Sequence, residues 1–170
     1  MDSEFLENLG TNPTQLLGLV AFASAAIACI FAKNSSPYEG RAWIVLAAIN
    51  AVFFAEILFG IRHHLHADVV SFLLRMGLYE NRADLQYGLM VGGATIPILA
   101  ALSLFFFSEF RKPRLIVATF ASFAVLTLFA IEAISFHRID ETFYQEVGPV
   151  MLIGWLWCAA CVATILSARL

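Results

Sequence analysis

A chain of 170 residues that is 61% hydrophobic and 14% charged carries more apolar surface than a soluble domain of this size can bury. The charges collect in short stretches between long apolar runs, the pattern of a polytopic membrane protein, so the excess surface faces lipid. A net charge of −3 with no large basic patch argues against a nucleic-acid partner.

The N-terminus carries Asp2, Glu4 and Glu7 and no basic residue, unlike a secretory signal, so the first apolar run is expected to remain as a helix. A hydrocarbon core of about 30 Å needs about 20 apolar residues in a helix. Five stretches fit, at about residues 14–32, 42–61, 87–108, 115–136 and 147–167. They lack strand alternation, and open sheet edges do not sit in lipid. The expectation is therefore an all-α integral membrane protein, one bundle of about five transmembrane helices.

Breaks in the apolar runs support these bounds. Asn12 and Pro13 precede helix one, residues 34–37 follow it, residues 111–113 separate helices three and four, and Gly148 with Pro149 opens helix five. Lys33, Arg41, Arg111, Lys112, Arg114 and Arg169 fall on one side, and Arg62, Arg75, Arg82 and Arg138 on the other. The positive-inside rule then places the N-terminus outside and the C-terminus in the cytoplasm of a cell (plasma or inner) membrane. Between helices two and three, Val69, Phe72, Leu73 and Met76 repeat at helical spacing, which predicts a short amphipathic helix at residues 68–79 in contact with membrane lipids.

Two ionisable residues sit inside apolar runs. Glu56 follows Phe54-Ala55 and precedes Arg62-His63, and Glu132 follows Phe129 and precedes His137-Arg138, so each glutamate leads an arginine by the same interval. In a five-helix bundle helices two and four run parallel, and the echo puts both carboxylates at matching depth. A charge at the bilayer centre costs roughly 2.5–3.5 kcal/mol, so such residues turn inward and mark ligand sites or relays unless a structural partner pins them.

The segment Arg62-His63-His64-Leu65-His66 follows directly. If helix two continues through it, His63 shares a face with Glu56 and His66. With His137, all four histidines of the chain then lie at one membrane face. Imidazole and carboxylate together suit a transition-metal ion or haem, with Glu56 and Glu132 as ligands or general base. The bland alternative is that histidines and arginines flank spans to reach the headgroups. Arg62, Arg82 and Arg138 would hold a phosphate or another polar group.

Trp157-Cys158-Ala159-Ala160-Cys161 resembles the Trp-Cys-x-x-Cys motif of thioredoxin-like redox proteins. A Cys-x-x-Cys within a membrane helix is also similar to quinone-linked thiol oxidoreductases related to vitamin K epoxide reductase. The likeness spans five residues and implies a redox thiol pair. Those enzymes also relay electrons through exposed cysteines, whereas here Cys29, Cys158 and Cys161 all lie in apolar runs. Close helix packing by small residues is the competing use.

Gly88, Gly92 and Gly93 form a Gly-x-x-x-Gly face on helix three, for packing in the bundle or in a homo-oligomer, and Pro97 lies one turn on. Trp43, Trp155 and residues 105–107 read as aromatic belt. These features favour a metal-binding membrane enzyme acting on a lipid-like or small apolar substrate. Two other readings stand beside it: a non-catalytic accessory subunit or assembly factor of a larger membrane complex, and an ion-coupled transporter or channel using Glu56 and Glu132.

Overall fold

The computed structural model describes residues 12–35, 37–61, 71, 74, 75, 82–134 and 141–170. It is an all-α bundle with five helices long and apolar enough to cross a membrane. In chain order these are α1 (Pro13–Ser35), α2 (Gly40–Phe59), α3 (Arg82–Leu104), α4 (Pro113–Ile134) and α5 (Leu152–Arg169). Before α5, β1 (Glu146–Val147) and β2 (Val150–Met151) pair antiparallel.

The helix starts follow from local chemistry. The Asn12 side chain accepts hydrogen bonds from the Thr14 and Gln15 amides at 3.0 and 3.5 Å, and Pro13 occupies the first helical position, where no amide proton is needed. Helix α2 ends at Gly60, whose φ of 60° is the left-handed C-cap that glycine adopts without strain, and its amide bonds to the Glu56 carbonyl at 2.7 Å.

Helix five begins five residues later than its apolar run, because Gly148 and Pro149 form the turn of the small hairpin rather than the start of a helix. Gly148 supplies the positive φ, 72°, that a two-residue hairpin turn requires. The hairpin is held by the Met151 amide to Thr14 Oγ1, the Leu152 amide to the Gln145 carbonyl, and Trp155 Nε1 to the Val147 carbonyl. Helix three ends at Leu104, short of the expected 108. There the Arg111 guanidinium donates to the Phe105 and Phe106 carbonyls, closing the chain reversal into α4. Of the expected amphipathic helix at 68–79, Ser71, Leu74 and Arg75 are described, and all three are helical.

Helices α1, α2, α4 and α5 form a four-helix core, with α1 packed on α2 and α5, and α4 on α5 and α2. Helix α3 packs chiefly against α4 and is the least buried of the five. The core is layered. One aromatic ring from each core helix meets at a single level: Phe53 stacks on Phe129 at 5.1 Å, Phe129 on Trp157 at 5.3 Å, and Phe22 lies tilted against Phe53 at 5.4 Å. Because α1 and α5 run opposite to α2 and α4, the rise of about 1.5 Å per residue locates the other layers. About 10 Å from the rings lie Cys29, Leu46, Ser122 and Thr164, and about 15 Å away lie Ala32, Trp43, Thr119 and Ser167, all buried.

The glycines that permit close approach are not those of the Gly-x-x-x-Gly face. A Cβ on Gly18 would stand 2.6 Å from Ile57 and 3.0 Å from the Trp157 ring, and one on Gly154 would meet Val150 at 2.7 Å and Thr14 at 2.9 Å. Gly88 and Gly92 have nothing within 4 Å. Trp43, expected in the aromatic belt, is wholly buried among Cys29, Leu46, Phe110 and Leu115, and the Arg114 guanidinium lies 5.8 Å over its ring.

Candidate carboxylate site

Glu56 on α2 and Glu132 on α4 each lie three residues beyond the stacked pair Phe53 and Phe129. On parallel helices this puts both carboxylates at one level, about 4.5 Å past the aromatic layer toward the hairpin end. Glu132 is 5% exposed and Glu56 half-buried, with its Oε2 out of reach of solvent. The aromatic layer thus forms the floor beneath the two carboxylates.

The wall comes from the connection after α4. Residues 141–143 make a helical turn, and Tyr144, next in sequence, donates from its phenol to Glu132 Oε1 at 3.4 Å. The hairpin that follows is tied to the start of α1 through Thr14, so Tyr144 is carried on an anchored strap. Tyr144 was not legible as a site residue, because its contact depends on how that strap folds back across the end of α4.

The opposite end of the bundle is closed by charge. Arg114 at the start of α4 donates from Nε and Nη2 to Glu39 Oε2 at 2.8 and 2.6 Å, just before α2 begins. The carboxylate level and this ion pair are separated by 17 residues of α2, about 25 Å, close to the thickness of a hydrocarbon core.

The remaining sequence-derived residues fall as follows. Arg62, His63, His64, His66, His137 and Arg138 lie outside the described residues. Arg82 opens α3, and only its backbone is described. Helix α2 is capped at Gly60, and the stretch that would carry it on through His63 lies outside the described residues. Among the described residues no group of three or more His, Cys, Asp or Glu side chains is placed to hold a metal ion. Cys29, Cys158 and Cys161 are free thiols; Cys29 and Cys161 are buried and Cys158 partly so. Trp157 and Cys161 lie on the core stripe of α5, which is a packing role.

The structure thus sets a buried carboxylate with a phenol donor, and a second carboxylate at the same depth, past an aromatic layer. Carboxylate oxygens there can ligate a cation, accept a proton or, if one stays unligated, act as a base. No protein-family model, curated protein or solved structure matches this chain.

Proposed function

We propose that the chain is a multi-pass membrane protein that binds a transition-metal cation at the hairpin end of its bundle. Glu56 and Glu132 supply the carboxylates, and imidazoles come from His63, His64, His66 or His137. The observation that carries this reading is the common depth of the two glutamates above the aromatic layer, with Glu132 buried and held by Tyr144. An intramembrane carboxylate is retained against its cost when it has work to do. The histidine-bearing segments leave α2 and α4 at this same end. A cation there would serve turnover of a lipid-like or small apolar substrate entering from the bilayer, with the unligated glutamate as base.

In this reading the hairpin end faces outward. Lys33, Arg41, Arg111, Lys112, Arg114 and Arg169 gather at the opposite end, and the positive-inside rule assigns that end to the cytoplasm. The test is metal analysis with a visible absorption spectrum on detergent-purified protein, native against His63→Ala/His66→Ala. A stoichiometric metal or haem signal lost in the variant supports the reading. No metal or chromophore after chelator-free purification removes it.

A second reading, docking to a larger membrane complex or to another copy, is favoured by α3. That helix stands at the rim with Gly88 and Gly92 open and with Ile96, Leu99 and Leu102 exposed. Copurification of a larger partner with a metal-free chain would put this reading first.

A further inference from the structure

The inner layers of the core hold polar groups that the carboxylate site does not use. Ser122 Oγ and Thr119 Oγ1 on α4 and Nε1 of Trp43 on α2 are buried and have no hydrogen-bond partner among the described residues. Buried polar atoms are nearly always satisfied, so three such atoms within two adjacent layers call for a ligand.

The antiparallel register supplies the facing groups. With Phe129 stacked on Trp157, moving seven residues down α4 reaches Ser122 and seven along α5 reaches Thr164; a further three reach Thr119 and Ser167. Thr164 and Ser167 donate to the Ala160 and Ala163 carbonyls of their own helix at 3.1 and 2.8 Å. Their protons are spent, but their oxygens can still accept. The α4 hydroxyls have protons to give, the α5 hydroxyls have lone pairs to receive them, and among the described residues no direct hydrogen bond joins the two sets. Each layer also contains a small buried side chain, Cys29 or Ala32.

We propose that these two layers bind ordered water inside the bundle, bridging Ser122 to Thr164 and Thr119 to Ser167, with the Trp43 indole donating to the second site. A buried water needs two to four polar partners, and Thr119, Ser167 and Trp43 provide three. The aromatic layer closes the site toward Glu56 and Glu132, and Phe110 with the Glu39 and Arg114 ion pair closes the other end. The water is therefore internal and structural, tying α4 to α5 at these layers and, through Trp43, to α2.

The test is a water-to-indole cross-peak at Trp43 Hε1 in 15N-tryptophan-labelled protein in micelles, assigned with Trp43→Phe. A cross-peak in the native protein that is lost in both Thr119→Val and Ser167→Ala is the expected result. Its absence from the native protein, or its survival in either variant, overturns the proposal. If Thr119→Val does not fold, the melting temperature of Ser122→Ala decides: bridged hydroxyls make it fall, and unsolvated hydroxyls make it rise, because an unsatisfied group has been removed.

Discussion

Replacing Phe129 by alanine would remove the ring on which the aromatic layer is built. Phe129 touches Phe53 at 5.1 Å, Trp157 at 5.3 Å and Phe22 at 6.1 Å, so one truncation breaks three ring contacts. In a bilayer the unfolded reference is already out of water, so the transfer contribution of a soluble core largely drops out and lost packing remains. A residual cavity of roughly 100 Å³ at about 24 cal/mol per Å³ costs about 2.4 kcal/mol. The lost ring pairs add about 0.5–1.5 kcal/mol each, less whatever the layer recovers by closing in. The expected total is about 3–5 kcal/mol, read as the shift in SDS-induced or thermal unfolding in mixed micelles. Phe106, 83% exposed between α3 and α4, is the control, and its alanine variant should change stability by less than about 0.5 kcal/mol. Equal effects at the two positions would refute the layered core.

Three other substitutions probe the remaining contacts. Tyr144→Phe should cost about 1 kcal/mol in the native protein and close to nothing in a Glu132→Gln background if the phenol acts on that carboxylate; a double-mutant cycle reads the difference. Gly154→Leu should destabilise by about 3 kcal/mol or more, since Val150 and Thr14 leave no room for a Cβ, whereas Gly88→Leu on the open face should be near neutral. Parallel melts of the two variants check this. Arg114→Leu strands the carboxylate of Glu39, 12% exposed, and should cost about 2 kcal/mol in the same assay, with Glu39→Gln/Arg114→Leu recovering most of it.

The spans were legible because a 20-residue apolar run has one solution in lipid, and the ends moved only where local chemistry intervened. Gly148 and Pro149 read equally well as a helix start and as a hairpin turn, and the positive φ at Gly148 decides for the turn. The matched depth of Glu56 and Glu132 was visible as an echo between α2 and α4. What the sequence hid is which residues face inward, because helices apolar on every side have little periodic contrast. Trp43 and Gly18 therefore gave no sign of being buried, while Gly88 and Gly92, read as a packing face within the bundle or between copies, stand open within the bundle. The hydroxyl layers left a faint trace, Thr119 with Ser122 and Thr164 with Ser167 at the same three-residue spacing. Their facing register depends on the stacking of Phe129 on Trp157, a tertiary fact.

Cobalt(II) titration of the detergent-purified protein, followed by visible absorption, tests the carboxylate site most directly. Native protein should be compared with Glu56→Gln and Glu132→Gln at the hairpin end and Glu39→Gln at the opposite end. The account predicts saturable, stoichiometric ligand-field bands in the native protein and in Glu39→Gln, and their loss in the other two. Bands unchanged in Glu132→Gln, or absent from the native protein, would contradict it.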